Sequence, residues 1–261
     1  MNATQTSNDK VVFEAVGICK NYGGVKALDN VDLNLMAGEV LALVGDNGAG
    51  KSTLVKAITG AISKDGGSIY FDGKEAVINE PADAKHFGIE TVYQDLALVN
   101  ELNVTRNIFL GREILLKGLL GKWFGFLDYK KMHQEVIDLF DKLNISIHDL
   151  HREASDFSGG QRQAVALSKT VQFGKRVAIL DEPTAALGVK ESHNAMQLVK
   201  SLKEHGLSVI MVTHNMQHVL QYCDRVMVMR LGKKVAVRSV SDIDGDQLVG
   251  LITGATNTHS A

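Results

Sequence analysis

A glycine-rich loop at residues 45–53, GDNGAGKST, has the composition of a phosphate-binding site. It matches GxxxxGK[ST] and lies between an apolar run, EVLALV, and a helix-like segment, KSTLVKAITG, which is the context that this pattern requires. Glycines let backbone N–H groups approach phosphate oxygens, a lysine binds the β- and γ-phosphates, and a hydroxyl is a ligand for Mg²⁺. The residues predicted to bind the nucleotide here are Gly45, Asp46, Asn47, Gly48, Ala49, Gly50, Lys51, Ser52 and Thr53, with Lys51 also catalytic and Ser52 also a metal ligand.

Two adjacent carboxylates end a second apolar run, RVAILDEPT at 176–184. Successive side chains at the end of a strand point to different sides, so one acid can face a metal ion while the next faces an attacking water. Asp181 is the predicted metal ligand and Glu182 the predicted general base. A solvated pair of acids at a strand end is the alternative, and the phosphate-binding loop argues against it.

Three further residues are ambiguous when taken alone. His214 ends the apolar run VIMVTH, where it could donate to a γ-phosphate or serve a structural purpose. Gln94, in TVYQDLALV, could orient water and bind Mg²⁺, or be an ordinary loop amide. Tyr22, before two glycines, could stack on adenine, although a surface tyrosine is commoner.

A second anion-binding pattern occurs at 157–163, FSGGQRQ. Its two glycines open a predicted helix, AVALSKTVQF, and a helix N-terminus offers free N–H groups and a partial positive charge. The residues concerned are Ser158, Gly159, Gly160 and Gln161. The sequence alone leaves open whether both anion sites meet the same nucleotide.

Composition narrows the classes of protein. The chain has 261 residues, 45% hydrophobic and 22% charged, with a net charge of −2, as expected for a compact globular protein. It has no long basic block, so we expect no nucleic-acid partner. Its two cysteines lack CxxC spacing, which favours reduced thiols over a zinc site or a disulfide framework.

The order of predicted elements indicates an α/β fold. Alternating strands at the start and buried strands around the glycine loop are followed, from about 96 to 170, by a more helical stretch, after which α/β alternation resumes. We expect one domain over residues 11–254, with a helical subdomain inserted at about 96–170 and polar tails at 1–10 and 255–261. The window GLLGKWFGFL at 118–127 is about half the length that spans a bilayer. We expect its aromatic residues, Trp123, Phe124 and Phe126, in the core, with an interface to a partner protein as the alternative.

Taken together and in this order, Tyr22, GDNGAGKS, Gln94, FSGGQ, ILDEP and His214 resemble the motifs of ATP-binding-cassette (ABC) ATPases. The resemblance covers residues 11 to 254, nearly the whole chain, and it implies a P-loop NTPase fold with a RecA-like core, an N-terminal antiparallel β subdomain and an inserted helical subdomain. The family's A-loop, Walker A, Q-loop, signature, Walker B and H-loop would be these six segments, and the cofactors would be ATP and Mg²⁺.

The resemblance also implies that the two anion sites act in trans. Two cassettes pack head-to-tail, so that the SGGQ of one closes over the ATP of the other, which implies a homodimer. One departure is clear, since Gly188 stands where the family usually has an aspartate that crosses the interface, and coupling between the two sites is in doubt. Phe157 in place of the usual leucine is a minor exchange.

Within the family, HFGIETVYQDLALVNELNVTRNIFLGRE and AALGVKES are similar to single-cassette, fructose/ribose-type monosaccharide importers of bacteria. This likeness implies a separate integral membrane permease, indirectly a sugar-binding protein, and a peripheral location on the cytoplasmic face of the cell membrane. The segment after Gln94 is then either a permease-docking surface or core packing. The alternatives are a soluble ABC ATPase acting on nucleic acid or the ribosome, and a regulatory module that binds ATP without useful turnover.

Overall fold

The computed structural model describes residues 10–118, 123–147 and 149–255. The predicted polar tails lie outside these residues, apart from Lys10 and Ala255. Contacts along the chain divide it into two units. The helical unit contains Asp95–Gln172 and Thr184–Ser201, and the rest of the described chain forms the sheet unit.

The strands of the sheet unit are β1 (Val11–Tyr22), β2 (Val25–Met36), β3 (Val40–Val44), β4 (Gly66–Phe71), β5 (Lys74–Glu75), β6 (Ile89–Val92), β7 (Val177–Asp181), β8 (Ser208–Val212), β9 (Arg225–Arg230) and β10 (Lys233–Ser239). The chain's helices are α1 (Lys51–Ile58), α2 (Pro81–His86), α3 (Val104–Phe109), α4 (Tyr129–Lys142), α5 (Gly159–Phe173), α6 (Val189–Glu204), α7 (Met216–Tyr222) and α8 (Gly245–Thr253). Short 3-10 turns cover Ala154–Asp156 and Val240–Asp242.

An antiparallel sheet of four strands has the order β2-β1-β4-β5. The expected first two strands are present, and β1 continues through irregular register between Ala15 and Ile18. Gly17 lies there at a φ of 64°, and its amide donates to Asp32 Oδ1 at 2.8 Å. A hairpin turn at Asp72-Gly73 joins β4 to β5, with Phe71 opposite Lys74.

The larger sheet has the order β10-β9-β3-β8-β7-β6. Its members from β9 to β6 pair in parallel, and β10 adds an antiparallel edge. Strands β3 and β8 are buried at every position, which explains their continuous apolar sequences, because a parallel sheet is covered on both faces. The carboxyl ends of β3, β8 and β7 therefore lie side by side, at the edge where α/β folds bind ligands.

One apolar core is shared by the two sheets and α1. It includes side chains of β1 and β2 (Phe13, Ile18, Leu33), of β3 (Leu41, Leu43), of α1 (Leu54, Ile58) and of β7 to β9 (Ile179, Ile210, Met227). Burying this set brings the strand that precedes the glycine loop and the helix that follows it into one rigid body.

The helical unit has its own buried residues. Met132, Val136 and Phe140 lie on the buried face of α4, as the helical spacing predicts, and Leu143 follows them at the C-cap. The segment after Gln94 was expected either to dock a permease or to pack in the core. Its helix α3 is largely buried, so this helix packs in the core.

The aromatic window departs from the prediction. Trp123, Phe124 and Phe126 were expected in the core, and all three are exposed, Trp123 by 76% and Phe124 by 73%. The expectation was wrong because it assigned apolar residues to the core by type, without a partner surface to bury them. Residues 119–122 of this window lie outside the described residues. Among the residues that the structure describes, no helix has the length and apolar character needed to cross a bilayer.

Candidate functional site

The glycine loop connects β3 to α1 in a conformation that requires glycine at two positions. Gly45 and Gly50 have φ values of 152° and 101°. A Cβ on Gly45 would lie 2.2 Å from the Met229 carbonyl oxygen, and one on Gly50 would lie 2.8 Å from that of Ala27. At both glycines the loop packs directly against the backbone of a strand, Met229 in β9 and Ala27 in β2. These contacts restrict the conformation of the loop.

Helix α1 begins directly at Lys51, without a side-chain cap at Gly50. Its first N–H groups are consequently free to bind an anion. Asp46, Asn47 and Gly48 are exposed along the loop, and Ser52 is exposed in the first turn of the helix. This cradle has the shape and charge that a phosphate chain requires.

Lys51 is buried beneath this loop. Its Nζ donates to the carbonyl oxygens of Gly45 at 2.6 Å and Asp46 at 3.0 Å. Burial lowers the pKa of Lys51, and the nearby charges of Glu182 and Asp181 oppose that shift. The lysine is therefore held by the loop and electrostatically coupled to the two carboxylates after β7.

Asp181 is the last residue of β7, and its side chain is half-buried. Burial raises the pKa of Asp181, and the charge of Glu182 raises it further, against the opposing charges of Lys51 and Lys56. A hydroxyl, a carboxylate and an amide oxygen, from Ser52, Asp181 and Gln94, are the hard donors that Mg²⁺ prefers. The chemistry of this donor set fits a magnesium ion.

Glu182 has a left-handed backbone, with φ at 52°, which is costly for a residue with a side chain. Its amide donates to the Val212 carbonyl oxygen at 3.0 Å, which ties this conformation to β8. Its Oε1 lies 3.2 Å from Nδ1 of His214. The sequence predicted a phosphate contact for His214 and gave no indication of this contact with the candidate base.

The two remaining sheet-unit candidates lie on other elements. Gln94 is exposed, two residues beyond β6, the neighbour of β7. Tyr22 ends β1 in the antiparallel sheet, with its ring half exposed. Lys20 lies over that ring at 5.7 Å and also pairs with Asp65 at 3.0 Å, which holds the tyrosine end of β1 in place. The structure thus groups Lys51, Asp181, Glu182 and His214 by contact or charge, whereas Gln94 lies in the loop after β6 and Tyr22 lies in the antiparallel sheet.

In the helical unit, the SGGQ segment caps its own helix. Gln161 N donates to Ser158 Oγ at 3.3 Å, and Ser158 N donates to Gln161 Oε1 at 3.0 Å. This reciprocal pair is a capping box, which the S-x-x-Q spacing could have revealed and the sequence analysis did not consider. The amides of Gly159 and Gly160 lie between the two capping residues.

Glu191, in the first turn of α6, contacts the SGGQ segment, and the sequence analysis did not identify it. A Cβ on Gly160 would lie 2.6 Å from Glu191 Cγ, and one on Gly188 would lie 2.6 Å from Glu191 Oε2. The side chain of Glu191 thus packs on both glycines, and its Cβ and Cγ account for glycine at position 160. The sequence gives no periodic or motif signal for this contact.

The comparisons with known proteins identify a family. The family model described as ABC transporter matches residues 28–185. The chain is 43% identical, over 94% of each chain, to the fructose import ATP-binding protein FrcA of Rhizobium meliloti. It is 42% identical to the xylose/arabinose import ATP-binding protein XylG of Sulfolobus acidocaldarius, over 93% of this chain and 94% of the relative.

Solved structures give the same answer. A nucleotide-free ATP-binding cassette from an ABC transporter has a TM-score of 0.76 at 28% identity and covers 93% of this chain and 95% of its own. An ATP-binding cassette in its ADP conformation has a TM-score of 0.78 at 28% identity, over 94% of this chain and 99% of its own. The predicted fold class is confirmed. The chain belongs to the ABC transporter family and is one of its ATP-binding, ATP-hydrolysing proteins.

Proposed function

We propose that this chain is the ATPase subunit of an importer for a monosaccharide. The relatives named above import fructose and xylose or arabinose, and they match this chain over nearly their full length. The observation that carries the enzymatic part is the grouping of a buried lysine, two carboxylates and a histidine at the carboxyl ends of three neighbouring strands. Residues 11–254 would form a single nucleotide-binding domain, with residues 96–170 as its inserted helical subdomain.

We assign the following roles to the residues of the sheet unit. The loop amides and Lys51 bind the β- and γ-phosphates, and Tyr22 stacks on the adenine. Ser52, Asp181 and Gln94 would hold Mg²⁺, which would neutralise charge on the transferred phosphoryl group. The separation of roles between the two acids follows from their positions at the end of β7.

Glu182 is the proposed general base. Its carboxylate accepts a proton from water as the water oxygen bonds to the γ-phosphorus and the bond to the ADP oxygen breaks. The contact at 3.2 Å with Nδ1 of His214 supports a role for the histidine in holding that carboxylate in its orientation. His214 is 73% exposed, which leaves it accessible to a γ-phosphate as well.

The signature segment would act on the ATP of a second copy. Ser158 and Gln161 already satisfy each other's backbone, so the amides of Gly159 and Gly160 remain the groups to receive a γ-phosphate from the partner. ATP would then stabilise a head-to-tail homodimer, and its hydrolysis would release it. A permease, and indirectly a sugar-binding protein, would complete the importer at the cytoplasmic face of the membrane.

The test is to purify the tagged chain from gently solubilised native membranes and to identify what accompanies it. Co-purification of a polytopic permease, together with ATPase activity that disappears in Glu182→Gln, is expected. Lys51→Ala serves as the control that also loses ATP binding. Recovery with ribosomal or nucleic-acid partners and without a permease would contradict the importer and favour a non-transport ABC ATPase.

A further inference from the structure

An apolar surface in the helical unit has no role in the functions described above. Two short segments, residues 114–118 and 123–128, run antiparallel and are called here the aromatic pair. Leu116 N donates to Phe126 O at 2.8 Å, and Asp128 N donates to Ile114 O at 2.7 Å. An isolated β-bridge between Leu115 and Leu127 completes the arrangement.

The aromatic pair is fixed at its base. Asp128 caps α4 by accepting from Lys131 N at 3.0 Å, and Ile114 N donates to the sulfur of the buried Met132 at 3.4 Å. Its outward side chains are therefore presented from a defined platform. They are all exposed by more than a third of their surface: Leu115, Leu116, Trp123, Phe124, Phe126 and Leu127.

Such a surface is unusual on a soluble chain. Single exposed apolar residues are common, but a contiguous group marks an interaction site. The rings of Phe124 and Phe126 lie 6.3 Å apart, so these two exposed rings are neighbours. Large aromatic side chains gain most from removal from water, which makes a bound state favourable.

The charges near the patch indicate its partner. Lys117 lies within the aromatic pair, and Lys130 and Lys131 follow it after one residue. All three are exposed, and Lys131 also lies 3.9 Å from Glu135. Aromatic rings together with lysines are typical of the bilayer interface, where the rings occupy the headgroup level and the lysines meet anionic lipids. Lysine is depleted in protein–protein interfaces, which are enriched in arginine instead.

We propose that the aromatic pair binds the headgroup region of an anionic bilayer, giving the cassette a direct lipid contact in addition to any permease. The inference depends on the proposed function only in placing the chain beside a membrane. The interaction is peripheral, since it uses partial insertion of a few side chains together with electrostatic attraction.

Trp123 is the chain's single tryptophan, so its fluorescence reports on this patch alone. The full chain is mixed with vesicles of phosphatidylcholine, with or without phosphatidylglycerol. We expect a blue shift and quenching by brominated acyl chains with the anionic vesicles, weakened by salt. Phe124→Ser/Phe126→Ser keeps the reporter and should weaken binding about tenfold or more, whereas Val77→Ser, at a 66% exposed position of the sheet unit, should not change it.

Basal ATPase activity is measured on the same samples and should be unchanged in both variants, which separates this inference from the proposed function. Absence of a shift with anionic vesicles overturns the inference. A shift that occurs only with proteoliposomes containing the co-purified permease overturns it as well, because the patch is then a protein-docking surface. If the unsubstituted chain bound anionic vesicles but had no ATPase activity, that result would contradict the proposed function and would still support the lipid contact.

Discussion

Nδ1 of His214 lies 3.2 Å from Oε1 of Glu182, and the two residues follow the neighbouring parallel strands β8 and β7. The candidate base is thus held by a residue more than thirty positions away in the sequence. Its left-handed backbone, secured by a hydrogen bond to Val212, adds a second constraint on the same carboxylate. Together they point Glu182 in one direction before any substrate binds.

Replacing Glu182 by Gln should leave ATP binding intact and lower the rate of hydrolysis by about 10²–10⁴-fold, as expected for the loss of a general base. Dimers should accumulate in MgATP, and size-exclusion chromatography with a steady-state ATPase assay measures both effects. His214→Ala should lower kcat more than it changes the affinity for ATP. Hydrolysis by Glu182→Gln at the parent rate would show that another group accepts the proton.

Asp181→Asn should stabilise the chain while abolishing magnesium-dependent turnover. Because the folded-state pKa of Asp181 is raised, its carboxylate destabilises the fold above that pKa, and the cost disappears as the pH falls and the acid is protonated in both states. We expect a thermal midpoint about 2 °C higher at pH 7 in the absence of nucleotide, a difference that shrinks towards pH 4. A midpoint difference that grows on acidification would have the wrong sign.

Two ion pairs in the sheet unit should differ sharply in their contribution to stability. Arg225 donates to the buried Glu39 at 3.0 and 3.3 Å and to Asn34 at 2.9 Å. Lys203 pairs with Asp224 at 2.6 Å, but both side chains are more than a third exposed. Urea unfolding should show a loss of about 3–5 kcal/mol for Arg225→Ala, which strands a buried carboxylate, and at most about 1 kcal/mol for Lys203→Ala.

Equal losses in these two variants would argue against burial as the deciding factor. Arg225→Ala combined with Glu39→Gln provides a further check. Removing the stranded charge should recover part of the lost stability, because the amide costs less to bury without a charged partner.

The contact between Glu191 and the signature glycine can be tested by a double-mutant cycle. Gly160→Ala should lower the thermal midpoint by about 2–4 °C, because its methyl group overpacks the Glu191 side chain. Adding Glu191→Ala should remove most of that loss. Gly159→Ala is the matched control, since its Cβ meets Leu187 at a milder 3.3 Å. Additive effects at Gly160 and Glu191 would show that the two positions are not coupled.

The two thiols should react very differently. Burial raises the pKa of Cys223 to about 12, and the charge of Asp224 contributes, whereas Cys19 is half buried. Because the thiolate is the reactive form, native Cys19→Ser should react with a disulfide reagent at pH 8 far more slowly than the same variant unfolded. Rapid native labelling of Cys223 would mean that this part of the chain opens readily.

The candidate site residues were identifiable in the sequence because each motif is local. GDNGAGKS encodes a turn and a helix start within eight residues, and ILDEP combines a buried strand with its terminal acids. The structure confirms the strand before the loop, the helix after it and the helix that opens at Gly159. Continuous apolar runs were enough to predict strands β3, β7 and β8, because strands buried on both faces have continuous apolar sequences.

Tertiary structure decided which of these segments are neighbours. Residue periodicity indicates that a strand is buried but not which strand it pairs with, so the position of β8 between β3 and β7 was not predictable. That order brings His214 to Glu182. Likewise, the sequence identified Trp123 and Phe124 as apolar, while only the fold determined that no described element covers them. Burial and pairing depend on partners distant in the sequence, and that information exists only once the chain has folded.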